Sequence, residues 1–214
     1  MHHPASSAAD LRARWPLPAT EALRDELIEA YAHPERGYHD TTHLSEVLDR
    51  LDELAEQGTD YPRLAVVLAA WFHDGIYDGE RDAEERSAHW AESALVGHVE
   101  PAVVAEVARL VRLTETHTPD DGDAAGCALS DADLAILAAP RDRYDEYVAT
   151  VRQEFAHLDD EVFRAGRAAV LGSLGEKTTL FHTRWAREQW EAAARANLER
   201  ELDGLLAVDA QQVG

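Results

Sequence analysis

The stretch AAWFHDGIYD, residues 69–78, puts His73 and Asp74 directly after a run of small and aromatic residues. The residues before the pair, YPRLAVVLAAWF at 61–72, are apolar nearly all round, which is typical of a central buried helix. An ionised carboxylate removed from water needs a partner of opposite charge or a metal ion. The stretch therefore predicts a core helix that ends in two groups requiring such a partner.

Helical patterns also occupy the sequence on both sides of this stretch. Apolar residues recur at spacings of three and four, and alternation typical of strands is absent beyond short runs. We expect a single all-α domain of roughly eight to ten helices over residues 19–208, preceded by an N-terminal extension over 1–18 that need not be ordered. The other predicted helices cover residues 19–32, 41–58, 82–98, 101–117, 128–140, 141–158, 160–175 and 181–207.

Several residues mark predicted helix ends. Thr20 is expected to begin the first of these helices, Gly58 to end the second, and Pro101 to occupy a first turn. Ser130 or Asp131 is expected to cap a short helix that follows a polar loop rich in Gly and Asp.

Composition and charge exclude several classes of protein. The formal net charge of −22 repels nucleic-acid backbones and anionic membranes, so neither a nucleic-acid polymer nor a membrane is an expected partner. No apolar run approaches the roughly 18 residues that a membrane-spanning helix needs, and the N-terminus lacks the pattern of a secretory signal. A single cysteine excludes an intramolecular disulfide. We expect a cytoplasmic protein.

Residue types that bind metal ions occur at helix ends in four segments. His39 and His43 are four residues apart and share a face if the helix already runs there. His73 and Asp74 follow the core helix. The remaining two segments contain His117 and the pair Asp131 and Asp133.

Two imidazoles and two carboxylates suit a divalent transition ion. Gathered from three helices around one ion, they would leave positions open for water and a substrate oxygen, and the ion would acidify the water and polarise a phosphoryl group. Each residue also has a purely structural interpretation, with His43 as a hydrogen-bonded core histidine and Asp131 and Asp133 as helix caps. The residues alone leave both interpretations open.

The order of these motifs resembles the HD superfamily of metal-dependent phosphohydrolases, and more narrowly a small bacterial group of predicted HD phosphohydrolases. RGYHDTTHL, LAAWFHDGIYD and AEERSA are similar to the group's Arg-x-Tyr-His…His, WFHDAVYD and NEERSA segments, although Ala83 replaces the Asn of the last one. LSDADLAIL, YDEYVATVRQEF and ARANLEREL resemble later segments, so the likeness extends over about residues 33–203. The resemblance implies an all-α HD-type helical bundle.

The resemblance also implies a metal ion bound by four residues. In YHDTTH the second histidine is matched to the superfamily's first ligand, and in DAD the second aspartate is matched to the last one. The implied ligands are His43, His73, Asp74 and Asp133, of which Asp74 would also orient the attacking water. One ion of Mn, Fe, Co, Ni, Zn or Mg is expected, and a second ion is left open.

Five further residues receive implied roles around the metal ion. Arg36 and His117 would counter the charge of the substrate phosphate, with His117 also a candidate for a second ion. His39 would lie one turn from the metal as a substrate contact, and Tyr77 would line a pocket for a flat group. Glu84 would accept a proton from the attacking water or orient it. Arg36 and Glu84 also have the competing interpretation of solvated surface residues.

The implied function is hydrolysis of a phosphate ester or phosphoanhydride in a small phosphorylated molecule, a nucleotide being the first expectation. Three alternatives stay open: an HD-type di-iron oxygenase, a non-catalytic HD domain that binds a nucleotide, and a purely structural helical protein. A homodimer is compatible with the sequence.

Overall fold

The all-α fold class is confirmed by the structure, a computed structural model that describes residues 8–80 and 82–212. These residues form eleven α-helices and no strand. Contacts divide the chain into two compact units, Met1–Asp133 and Leu134–Gly214. No helix in the described part of the chain combines the length and apolar character that a bilayer crossing requires.

The first unit contains seven helices and all the predicted site residues. Helix α4 packs against α3, α5 and α6, and α2 contacts α1 and α3. The helices are α1 (Ala8–Arg14), α2 (Glu21–Tyr31), α3 (Thr41–Glu56), α4 (Arg63–Phe72), α5 (Ala83–Ala94), α6 (Pro101–Leu113) and α7 (Ala124–Leu134), whose last residue begins the second unit.

The prediction of a central buried helix is confirmed by α4. Every residue from Ala65 to Phe72 is buried, and Leu68, Trp71 and Phe72 are wholly inaccessible. Each large side chain of this kind stabilises the fold by about 1.5–3 kcal/mol when removed from water. The helix therefore fixes the position of the His73–Asp74 pair at its end.

Gly75 allows the turn after α4 to approach α5 closely. Its N–H donates to the Phe72 carbonyl over 2.9 Å. A Cβ atom at this position would lie 3.1 Å from that carbonyl oxygen and 3.1 Å from the Trp90 ring. A side chain there would therefore require the turn or the Trp90 ring to shift by a few tenths of an ångström.

Most predicted helix ends in the first unit are confirmed. Thr20 precedes α2, Gly58 follows α3 in the left-handed conformation with φ of 87°, and Pro101 is the first residue of α6. Within the predicted N-terminal extension, the Leu11 side chain of α1 is fully buried.

The predicted start of α7 is wrong. The helix begins at Ala124, and the Asp123 carboxylate accepts a hydrogen bond from the Gly126 N–H over 2.9 Å. Ser130 and Asp131 lie inside the helix and are buried, so neither is its N-cap. Because the helix starts earlier, Asp133 lies in its last turn rather than its first.

The second unit is built around one long helix. After a 3₁₀ turn, Ala135–Ala138, it contains α8 (Arg141–Glu154), α9 (Asp160–Glu176), α10 (Arg184–Gln189) and α11 (Glu191–Gln212). Helix α11 packs on α9, α10 and the 3₁₀ turn. The single helix predicted over 181–207 is interrupted at Trp190, which separates α10 from α11.

A buried ion pair joins α9 to α11 in the second unit. The Arg167 guanidinium donates to the two carboxylate oxygens of Glu201 over 2.7 and 3.0 Å. The Tyr144 hydroxyl donates to the same carboxylate over 2.6 Å. Only 9% and 6% of the Arg167 and Glu201 side chains are exposed, so solvent screens this pair weakly.

Candidate metal centre

The ends of three helices in the first unit bring the four predicted ligands together. The Asp40 carboxylate caps α3 by accepting from the backbone N–H groups of Thr42 and His43 over 2.7 and 3.2 Å. This cap places the His43 side chain in the first turn, where it is almost wholly buried. His73 and Asp74 follow α4 directly, and Asp133 comes from the last turn of α7.

The ligand atoms of the four residues converge. The Nε2 atoms of His43 and His73 are 3.0 Å apart. Asp74 Oδ2 lies 3.2 Å from His43 Nε2 and 3.1 Å from His73 Nε2. Asp133 Oδ1 lies 3.3 and 3.6 Å from the same two nitrogens. We call these four residues the His₂Asp₂ cluster.

This spacing fits a single metal ion. Atoms that bind one ion at about 2.0–2.2 Å must lie within about 4.4 Å of each other. The ligand atoms of His43, His73 and Asp133 satisfy that limit towards one another, at 3.0–3.6 Å. Asp74 Oδ2 satisfies it towards both histidine nitrogens. The donor set of two imidazole nitrogens and two carboxylate oxygens is one that divalent transition ions accept.

The other nitrogen of each histidine already has a partner. His73 Nδ1 lies 2.8 Å from the Ala70 carbonyl oxygen, which can only accept, so Nδ1 carries a proton. In the neutral ring this leaves the Nε2 lone pair directed into the cluster. His43 Nδ1 lies 3.0 Å from the Tyr38 hydroxyl. Partners of this kind fix the orientation of ligand histidines.

Burial and charge act in opposite directions on these groups. Burial alone would lower the pKa of His43, but hydrogen bonds and attraction from Asp133 and Asp74 outweigh it and raise that pKa to about 9. The pKa of His73 also rises well above its ordinary value, because the attraction of Asp74 and Asp133 exceeds the effect of burial.

The two carboxylates respond in the opposite sense. Burial would raise the pKa of Asp74, but attraction from His73 and His39 holds it well below its usual range. The pKa of Asp133 is likewise lowered, since His73 and His43 overcome the cost of burial. Both carboxylates are therefore anionic at neutral pH, as metal ligands must be.

His117 lies beside the cluster. Its Nε2 is 3.7 Å from Asp133 Oδ2, the oxygen that does not face His43 and His73, and its Nδ1 is 3.3 Å from the Ser130 hydroxyl. The backbone of His117 is left-handed, with φ of 48°. This conformation turns the chain sharply after α6 and directs the ring back towards α7.

His39 and Tyr77 form a stacked pair next to the cluster. Their ring centroids are 4.0 Å apart and their planes differ by 25°. The His39 ring centroid is 5.5 Å from that of His43. Both residues are half-buried, so they border the cluster on a side that solvent reaches.

Arg36 contacts the cluster through the backbone. Its guanidinium donates to the carbonyl oxygens of His39, Asp74 and Gly75 over 2.9, 2.7 and 3.0 Å. These bonds use three of the five guanidinium N–H donors, so the backbone engages much of the capacity that the predicted contact with a substrate phosphate would need. Glu84 lies in the first turn of α5, and within residues 8–80 and 82–212 it makes no hydrogen bond or ion pair with the cluster.

Tyr31 is a contact that the sequence did not assign to the site. Its buried hydroxyl accepts a hydrogen bond from the Asp74 N–H over 3.2 Å. The helical pattern predicts that Tyr31 is on the buried face of α2, and a buried tyrosine hydroxyl needs a partner. The pattern does not identify that partner, because every residue except proline has a backbone N–H and the sequence does not show which one is near.

No protein-family model, no curated protein and no solved structure matches this chain.

Proposed function

We propose that this protein is a divalent-metal-dependent phosphohydrolase that acts on a small phosphorylated molecule, with nucleotides as the first class to test. The observation that carries the proposal is the convergence of two imidazole nitrogens and two carboxylate oxygens from the ends of α3, α4 and α7. Such a group is costly to bury without a cation.

His43, His73, Asp74 and Asp133 would hold the ion. Both carboxylates are anionic and the His73 Nδ1–H is directed away from the cluster, so the ion would replace the protons that the raised pKa values place on His43 and His73. When bound, the ion supplies Lewis acidity that polarises a phosphoryl oxygen and lowers the pKa of water.

His117 is the residue best placed to act on the substrate itself. Its side chain is 17% exposed and its Nε2 faces Asp133, so it borders the cluster and still reaches solvent. A histidine in this position can neutralise phosphoryl charge or donate a proton to a leaving oxygen. The His39–Tyr77 pair offers a flat surface at the same border.

The charge of the chain favours a small substrate. A net charge of −22 opposes the approach of a polyanion over most of the surface. A small phosphorylated molecule needs only the cluster, where a dication reverses the local potential.

Metal analysis followed by a substrate screen tests the proposal. The purified protein should retain close to one divalent ion per chain, and it should hydrolyse one or more nucleotides or phosphomonoesters with Mn, Co, Ni, Zn or Mg. His73→Ala should abolish metal retention and turnover. His89→Ala, which removes an exposed histidine from α5, is the matched control and should change neither.

Two results would contradict the proposal. A wild-type protein that takes up no divalent ion under equilibrium dialysis would leave the cluster as a structural ion network. Two irons per chain, with an optical or EPR signal of a coupled pair and no phosphatase activity, would favour the di-iron oxygenase instead.

A further inference from the structure

Arg36 lies in the segment between α2 and α3 and joins two parts of the chain that carry the proposed ligands. One guanidinium nitrogen donates to both the His39 and Asp74 carbonyl oxygens, over 2.9 and 2.7 Å. The second terminal nitrogen, Nη2, donates to the Gly75 carbonyl oxygen over 3.0 Å. A single side chain therefore connects the segment before His43 with the turn after α4.

The two peptide groups that flank the Asp74 Cα are both hydrogen-bonded to side chains. The Asp74 C=O accepts from Arg36 over 2.7 Å, and the Asp74 N–H donates to the Tyr31 hydroxyl over 3.2 Å. The Arg36 guanidinium also lies over the Tyr31 ring, 4.9 Å from its centroid. Tyr31 and Arg36 thus contact each other and fix the two peptide planes on either side of the Asp74 Cα, from which the side chain projects.

The location of the guanidinium suits the end of a helix. The Asp74 and Gly75 carbonyl groups lie in the turn just beyond the C-terminal end of α4, and a cation there interacts favourably with the negative end of the helix dipole. Arginine can serve several acceptors at once because its donors form a rigid planar fork.

From this geometry we infer that Arg36 is a positioning residue, which holds the His73–Asp74 turn against the segment that leads to His43, so that the His₂Asp₂ cluster is formed before metal binds. The inference rests on the proposed function in so far as the cluster is a metal site. It assigns to Arg36 a task other than contact with the substrate.

Removal of the Arg36 side chain should change metal affinity in opposite directions, depending on whether Arg36 acts by positioning the ligands or only by its charge. By Coulomb repulsion alone, a guanidinium near a cation site weakens metal binding, so its removal would tighten it. Positioning predicts the opposite. We expect Arg36→Ala to bind Co²⁺ about 10–100-fold more weakly than the wild type, which is the loss typical of residues that orient metal ligands.

The experiment compares three variants with the wild type by Co²⁺ titration and visible spectroscopy. Arg36→Ala should bind more weakly and give an altered d–d spectrum, and millimolar guanidinium should restore part of the affinity. Arg36→Lys keeps the charge but cannot reach all three carbonyls, so its affinity should be intermediate. It also serves as the test variant if Arg36→Ala does not fold.

Arg195→Ala is the matched control. Arg195 donates to the Gly175 and Lys177 carbonyls at the end of α9 over 2.7 and 2.6 Å, so the variant removes the same kind of bond in the second unit. It should lower the melting temperature and leave Co²⁺ affinity and spectrum unchanged.

Hydrogen exchange in the metal-free protein provides an independent readout. Peptides covering residues 73–77 should lose protection in Arg36→Ala and keep it in Arg195→Ala. Unchanged protection there, or Co²⁺ binding by folded Arg36→Ala that equals or exceeds that of the wild type, would overturn the inference. If the wild type binds no metal, the proposed function fails, and the exchange data still decide whether Arg36 positions the turn.

Discussion

Replacing Asp133 with asparagine keeps the shape of the side chain and removes its charge. In the metal-free protein the Asp133 carboxylate lies 3.3 Å from His43 Nε2, 3.6 Å from His73 Nε2 and 3.7 Å from His117 Nε2. Three buried or half-buried imidazoles therefore share one anion. We expect Asp133→Asn to destabilise the metal-free protein and to weaken its metal binding.

The size of the first effect is limited by the pKa of His43. With that pKa at about 9, the wild-type imidazolium is favoured over the neutral ring at pH 7 by about 3 kcal/mol. A variant that lacks the anion can release the proton, so the loss attributable to His43 is at most about 3 kcal/mol. Because the wild type also loses this proton as the pH approaches 9, the difference should shrink there.

The loss of metal affinity in Asp133→Asn should be large. Residues that only orient a ligand change metal affinity by about 10–100-fold, so loss of a ligand should cost about 100-fold or more. Urea denaturation with a chelator measures the first effect across pH, and metal titration measures the second.

Asp131→Asn makes the same chemical change two residues away in α7. Asp131 is fully buried but does not belong to the cluster, so this variant should lose stability and keep its metal affinity. Equal metal affinity in Asp133→Asn and the wild type would refute the ligand assignment. Loss of metal by Asp131→Asn alone would show that the wrong aspartate has been assigned.

Three other predictions concern separate parts of the molecule. His117→Ala should retain metal and lose turnover, measured with the best substrate of the screen, since its ring borders the cluster but is not one of the four ligands. The metal-free protein should lose stability as the pH rises from about 6.5 to about 9. The raised pKa of His43 stabilises the fold fully below pH 6.5, and this contribution is lost as the pH passes about 9. Denaturation in the presence of a chelator across this pH range measures the loss. Glu201→Gln should lower the free energy of unfolding by about 3–5 kcal/mol in urea denaturation, because it leaves Arg167 buried without its anion while Tyr144 keeps an acceptor.

The central helix and the ligand-bearing helix ends could be predicted because their signals are local. An apolar run followed by His73 and Asp74 identifies both a buried helix and its costly end. His43 is harder, because the same side chain could be an ordinary core histidine. The structure places the His43 Nε2 3.0–3.3 Å from His73, Asp74 and Asp133, in a group that could hold a metal ion, and no spacing along the sequence contains these distances.

The start of α7 was missed for a reason that concerns Gly126. Residues 124–128, AAGCA, show no clear periodicity, and a glycine inside a helix is unfavourable by about 1 kcal/mol. In the structure a Cβ atom at Gly126 would lie 2.6 Å from the Leu113 side chain and closer still to the Asp123 carboxylate. The glycine that weakens the helical pattern therefore makes room for the cap that begins the helix.

Arg36 illustrates a second kind of limit. An arginine beside a histidine-rich motif suggests an anion, and the sequence contains nothing that argues against a phosphate. The acceptors in the structure are three backbone carbonyls, which every residue has and which no residue type identifies. Contacts between side chains and the backbone are thus the part of a site that is hardest to predict from a sequence.

The charge of the cluster explains why such a group can occupy a protein core. Two anionic carboxylates carry a charge of −2, which two protonated histidines neutralise in the metal-free protein, where the pKa values of His43 and His73 are both raised. One divalent ion with two neutral histidines gives the same total. Metal can therefore replace two protons without leaving net charge in a medium that tolerates it poorly. The two Nε2 atoms are 3.0 Å apart, so a proton or a metal ion must lie near them in either state. This requirement explains how His73 and Asp74 can lie at the end of the most apolar helix in the first unit.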